Sequence, residues 1–131
     1  PRHCRISSSV AIEGEVKSLS NCEIKPLERK LIPTGIKIQL EKGFEAQIRP
    51  RSGMSIKHGI TLINCVGTID EDYRGEVIVV LLNTTNEDYL ISHGNKIAQM
   101  ALRKYYQADL IEVDELDETI RGSNGFGSTG K

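Results

Sequence analysis

Tryptophan is absent from this chain, and aromatic residues make up only 5% of it. Any core must therefore be built from aliphatic side chains. Excess charge is missing too: the net charge is -1. That argues against a nucleic-acid coat or an anionic-membrane binder, both of which depend on basic surface. No stretch approaches the roughly 20 consecutive apolar residues of a membrane span. The opening Pro1-Arg2-His3-Cys4-Arg5 has no apolar run behind it and does not read as a signal peptide. Cysteines number three, an odd count, and none form a C-x-x-C pair. That disfavours a disulfide frame or a zinc site and points to reduced thiols in a cytoplasmic protein. The expectation is a protein without nucleic-acid or membrane partners.

What is present reads as β structure. The 131 residues suit one domain, and a domain of that size buries roughly two-thirds of its unfolded surface. Apolar residues mostly recur every second position. Leu31, Pro33 and Gly35 do so, then Ile36, Ile38 and Leu40, then Phe44, Ala46 and Ile48. Thr61 to Val66 reads as a further strand. The continuous run Val77 to Leu82 predicts a strand buried on both faces, in a sandwich core or against another subunit. Tyr89-Leu90-Ile91 and Ile97 to Leu102 flank Ser92-His93-Gly94-Asn95, which reads as a hairpin-like turn. One short helix is expected near 52–58, capped by Ser52 and ended by Gly59. Residues 121–131 are rich in glycine and hydroxyls, which predicts a mobile arm appended to a 1–120 domain.

Four polar clusters interrupt the apolar pattern. In Pro50-Arg51-Ser52-Gly53 an arginine and a hydroxyl meet a helix start, a combination that suits an anion and equally a plain capped turn. Asn64 through Glu76 (NCVGTIDEDYRGE) offers an amide able to pair with a base edge, then Asp70, Asp72, Tyr73 and Arg74; alone it could be a solvated hairpin. Gly94 to Gln99 (GNKIAQ) is by itself a turn and a strand. Arg121 to Gly130 (RGSNGFGSTG) combines backbone donors, hydroxyls and a cation suited to phosphate with Phe126, able to stack on a base. Gly125 to Lys131 also has the spacing G-x-x-x-x-G-K, but a P-loop needs a preceding strand, a following Ser/Thr and a helix, and this match is not expected to be one.

Taken in order, PRSG, GTIDEDYRGE, GNKIAQ and RGSNGFGSTG resemble motifs two to five of the trimeric dUTPase family. The resemblance implies an all-β fold, a distorted jelly-roll β-barrel or sandwich with a short helix near 52–58 and a flexible C-terminal arm. It implies hydrolysis of dUTP to dUMP and pyrophosphate by water attack on the α-phosphorus, limiting uracil in DNA and supplying dUMP. Asp70 would orient and deprotonate the water. Asn64 and the main chain near Gly67, Thr68, Ile69 and Ile78 would read uracil, while Tyr73 would pack beneath the deoxyribose and exclude a 2′-OH. Arg51, Ser52, Gly53 and Gln99 would hold phosphates. Arg121, Gly127, Ser128 and Thr129 would close over the triphosphate with Phe126 stacked on uracil, the arm coming from another subunit of a homotrimer. Mg2+ would ride on the triphosphate with no direct protein ligand.

The family's first motif, Ala-Gly-x-Asp-Leu, is altered here. The region reads Val10-Ala11-Ile12-Glu13-Gly14-Glu15-Val16 and holds no Asp. Glu13 or Glu15 is left as the outer-shell carboxylate toward the metal. Two rival readings follow: a catalytically impaired nucleotide-binding or signalling trimer, and a dCTP deaminase relative.

Overall fold

The structure, a computed structural model, describes residues 2–5 and 13–125. Eleven strands and one helix are seen: β1 (Arg2–Arg5), β2 (Glu13–Lys17), β3 (Cys22–Ile24), β4 (Arg29–Pro33), β5 (Ile36–Gln39), β6 (Phe44–Arg49), α1 (Ser52–His58), β7 (Ile60–Leu62), β8 (Gly67–Ile69), β9 (Ile78–Asn83), β10 (Tyr89–Ile91) and β11 (Lys96–Lys104). The expected all-β class with one short helix is what forms, with the strands in four small sheets and no closed barrel among the described residues. Their orders are β1-β5, β10-β3, β2-β11-β6-β8 and β4-β9-β7, and only the β1–β5 pair is parallel.

The core is aliphatic, as the lack of tryptophan requires. Val16, Ile24, Ile32, Ile38, Ile48, Ile60, Leu62, Val79, Leu81, Ile91 and Ile97 are all buried. A buried polar group costs free energy unless it is bonded, and Asn83 meets that condition. Its amide donates to the carbonyls of Ile24 (3.0 Å) and Glu87 (2.7 Å), and its oxygen accepts from the Thr85 N–H and hydroxyl.

Several sequence expectations shift by local chemistry. In β4 the phase is reversed: Ile32 is buried while Leu31 is 63% exposed. Leu31 opposes Val80 and Pro33 opposes Ile78, so these side chains share the outward face. On β9 Val79 and Leu81 point inward and Ile78 lies outward. The Val77–Leu82 run is thus buried on one face only within a single chain. The expected strand Thr61 to Val66 stops at Leu62, and Ile63 to Val66 turns the chain into β8. Ser92 to Asn95 does form a turn, closed by the Asn95 N–H donating to the Ser92 carbonyl at 3.0 Å. It is not a hairpin: β10 pairs with β3, and β11 pairs with β2 and β6. Ser52 is the first helical residue rather than the cap. Arg51 holds the cap position with no side-chain cap bond, and Gly59 ends the helix with φ 61° as expected. The three cysteines are all unpaired. Regular structure ends at Lys104, and residues 105–125 form no strand or helix. No helix among the described residues is long and apolar enough to cross a membrane.

The turn from Lys25 to Glu28 carries a strained residue. Pro26 fixes its second position, and the Glu28 N–H donates to the Lys25 carbonyl at 3.0 Å. Leu27 takes φ 58°, the left-handed region that the third position of a type II turn demands and that glycine fills best. Leu27 is 74% exposed, so its side chain returns little burial. Relief of roughly 1–2 kcal/mol of left-handed strain, less the roughly 0.5–1 kcal/mol of added chain entropy, leaves a net gain. Leu27→Gly is expected to stabilise the fold by about 0.5–1 kcal/mol, read as a higher urea midpoint at unchanged m-value. A lowered midpoint would refute the strain.

Candidate functional site

One group of functional side chains gathers where β6 runs into α1. Arg51 leaves β6 in extended backbone (φ -88°, ψ 122°). This aims its guanidinium back across the sheet toward β2 and β11. There its Nη1 donates to the Lys96 carbonyl at 2.9 Å, and its Nη2 lies 3.3 Å from Glu15 Oε1. Lys96 Nζ lies 2.5 Å from Glu15 Oε2. One carboxylate therefore braces two cations. The hydrogen bond from Lys96 holds the Glu15 carboxyl below its ordinary range against partial desolvation, with attraction from Lys96, Arg51 and Lys17 adding to it. Because that pKa is depressed, the brace contributes above the ordinary value of 4.5 and is lost as pH falls through the lower folded value.

Ser52 and Gly53 are exposed at the start of α1, and nothing would crowd a ligand approaching the Gly53 backbone. Gln99 is exposed on β11, directly opposite Glu15 on β2 and Arg49 on β6. Of the two first-region acids, Glu15 joins this group; the Glu13 side chain lies outside the described residues. Arg51, Ser52 and Gly53 follow one another at the start of α1, and Gln99 is linked to them through Glu15, which it opposes and which pairs with Arg51. Lys96 and Glu15 complete the group as its brace, which sequence reading did not single out. Lys96 lay within the quoted GNKIAQ, but only the pairing of β2 with β11 reveals its partner.

A second group lies around β8. Gly67 is buried, and a β-carbon there would press on the Asn64 amide at 3.2 Å. The Asn64 amide therefore packs directly over the Gly67 backbone. Thr68 and Ile69 follow on β8, opposite Gln47 and Ala46 of β6. Asp70 begins a turn in which the Tyr73 N–H donates to its carbonyl at 3.2 Å. The turn is fixed from both sides. Glu71 accepts from the Gly43 N–H, and Arg74 Nη1 donates to the carbonyls of Glu71 (2.7 Å) and Tyr73 (2.9 Å). The same Glu71 carboxylate faces the Tyr105 hydroxyl, whose pKa is raised by desolvation and by that acidic neighbour. Tyr73 donates to the Glu76 carbonyl at 3.1 Å, and its ring covers Gly75 so closely that no side chain would fit there. Tyr73 is still 42% exposed, which leaves a ring face open. Ile78 follows at the start of β9, opposite Pro33.

Gly67 opposes Ile48 near the first group, but the acidic turn that follows β8 lies away from it within one chain. Ile69 opposes Ala46, so Asp70 follows it toward Glu45, while β6 runs on to Arg49 and Arg51 caps the helix beyond it. At about 3.3 Å per residue, the strand from Glu45 to Arg49 alone spans about 13 Å. Electrostatics divide them as well. Asp70, Glu71 and Asp72 form an acidic turn that would repel a polyphosphate, whereas the cations sit at the far end.

Of the arm, Arg121 is exposed, donates through Nε to the Asn124 carbonyl at 2.9 Å and touches neither group. Phe126, Gly127, Ser128 and Thr129 lie outside the described residues. Among the described residues no three His, Cys, Asp or Glu side chains converge to form a metal cage.

A scan against protein-family models matches dUTPase over residues 6–130. Among curated proteins, the deoxyuridine 5'-triphosphate nucleotidohydrolase of Finegoldia magna is 55% identical over 99% of this chain and 90% of its own length. That of Clostridium novyi is 57% identical over 86% of this chain and 80% of its own. Among solved structures, dUTPase of Staphylococcus bacteriophage 80alpha, a G164S mutant with dUpNHpp, superposes with a TM-score of 0.83. It covers 97% of this chain and 90% of its own at 23% identity, a likeness of fold. The Streptococcus mutans dUTPase superposes with a TM-score of 0.72 at 27% identity, covering 79% of this chain and 84% of its own.

Proposed function

This chain belongs to the dUTPase family and hydrolyses dUTP to dUMP and pyrophosphate, and on that premise we propose how its two groups of residues divide the work. One observation supports the division: the acidic turn after Ile69 lies at one end of β6 and the cationic clamp just beyond the other, with about 13 Å of strand from Glu45 to Arg49 between them. A site using both must take one from each of two copies. A cyclic homo-oligomer, the homotrimer of the family resemblance, provides that arrangement once per interface.

In this reading Asn64 pairs with the uracil edge beside the backbone of Gly67 to Ile69. A buried edge built to pair with uracil leaves polar groups unpaired against cytosine, and so rejects it. Tyr73 presents its open face to the deoxyribose. Asp70 accepts the proton of a water aimed at the α-phosphorus; the new P–O bond forms from that water as the bond to the leaving pyrophosphate breaks. From the neighbouring copy Arg51, Ser52, Gly53 and Gln99 hold the phosphate chain, with Arg51 held in place by Glu15. Phosphoryl chemistry depends chiefly on such positioning and charge neutralisation. Arg121, Phe126, Gly127, Ser128 and Thr129 close the site as a lid. Mg2+ suits a site that offers few carboxylates and leaves most of the coordination to phosphates and water. When bound it would neutralise phosphate charge, and Glu15, the first-region acid in this group, would be the carboxylate available to its outer shell.

The test is product analysis with Mg2+ and dUTP, dCTP or UTP. Release of dUMP and pyrophosphate from dUTP alone supports the assignment, and binding without turnover favours a nucleotide-binding protein. Tyr73→Ala is expected to raise relative kcat/KM for UTP by roughly tenfold or more. Unchanged discrimination would remove Tyr73 from the sugar site.

A further inference from the structure

Arg49 belongs to none of the motifs. It lies two residues before Arg51 and ends β6. Gln99 opposes Arg49 on one side and Glu15 on the other. Directly opposed residues of antiparallel strands share a face. Arg49, Gln99 and Glu15 therefore form one row across β6, β11 and β2. The row lines a cavity of about 340 Å³, completed by Gly14, Met100 and Ala101.

The charges within this row are not balanced. Glu15 is committed to Arg51 and Lys96. The Arg49 guanidinium is half-buried and donates to the Gln47 amide oxygen at 2.7 Å. Among the described residues it meets no carboxylate within ion-pair distance. Among the described residues, Arg49, Arg51, Lys96 and Lys17 thus gather about one acid, Glu15. A half-buried guanidinium with only a neutral partner, on a rigid strand beside Gln99, is suited to an anion with planar donors already in place.

We propose that Arg49 is a further phosphate-binding residue of this site, holding the polyphosphate of the substrate from the opposite side of Gln99 to Glu15. The inference rests on the dUTP-hydrolysing reading, but it is tested by binding. Inorganic triphosphate carries the phosphate chain without base or sugar, and deoxyuridine carries the base and sugar without phosphate. Each is titrated by calorimetry into the full chain and into Arg49→Met and Arg49→Lys. Loss of one charge-assisted contact is expected to weaken triphosphate binding to Arg49→Met about tenfold, with Arg49→Lys recovering part of it. Deoxyuridine affinity and the thermal midpoint stay unchanged. Equal triphosphate affinity in the unmodified protein and Arg49→Met overturns the proposal, as does a parallel loss for both ligands, which marks a structural role. No triphosphate binding by the unmodified protein at millimolar concentration overturns it too. Failure to hydrolyse dUTP, measured separately, overturns the underlying activity and leaves the binding comparison to decide Arg49.

Discussion

Asp70→Asn is expected to lower kcat for dUTP by two to four orders of magnitude, the usual contribution of a positioned general base. Asparagine keeps the shape of the side chain and cannot take the proton. Among the described residues nothing in the fold leans on the Asp70 side chain. The turn is held instead by Glu71 on Gly43 and by Arg74 on the carbonyls of Glu71 and Tyr73. Its own carboxylate is exposed at the end of β8. Thermal stability should therefore not fall, and KM should move by only a few-fold, because base, sugar and phosphates are held elsewhere. Asp72→Asn is the matched control: it removes a charge two positions away and should retain most activity. Pyrophosphate release by both variants, with dUTP affinity measured alongside, decides it. Comparable losses in the two would mean that the acidic turn acts through its summed charge, and Asp70 would lose its distinct role.

Composition alone did not distinguish Asp70 from Asp72. Its selection came from the order of four polar clusters, and that order was legible because each cluster interrupts a period-two apolar pattern. The strands with one inward face were legible for the same reason: Ala46 and Ile48 are buried as their spacing required. Where apolar residues run consecutively, as at Leu31-Ile32-Pro33, spacing does not fix the phase, and it is Ile32 that is buried. Strand partners were harder still. Tyr89–Ile91 and Lys96–Lys104 flank a genuine turn yet pair with different strands, because a turn bounds two strands without obliging them to pair. The brace of Glu15 on Arg51 and Lys96 joins residues 36 and 45 positions from Arg51 in sequence, and long-range pairing of this kind leaves no local signature. Arg49 carries no local sequence signal, because its place beside Gln99 and Glu15 exists only once β11 is laid beside β6.

The separation along β6 leads to the second large effect. If Asp70 works with the Arg51 of a neighbouring copy, inactivating the two in different chains should be reversible by mixing them. Asp70→Asn alone spoils every site through its base, and Arg51→Gln alone spoils every site through its clamp, by about a hundredfold or more. When the two variants are unfolded together, refolded and allowed to assemble at random, about one quarter of the interfaces combine an intact Asp70 with an intact Arg51. The mixture should then recover about one quarter of the unmodified activity, far above either parent. A chain carrying both substitutions supplies the control: mixed with Asp70→Asn it can form no interface with an intact Asp70, and it should rescue nothing. Steric crowding cannot mimic this pattern, because each variant retains its fold and each supplies what the other lacks. Activity of the mixture equal to the average of its parents would place Asp70 and Arg51 in the same copy or in unrelated roles. It would then require a large change of the β6–β8 pairing to bring them together, and the register of Ile69 on Ala46 opposes that.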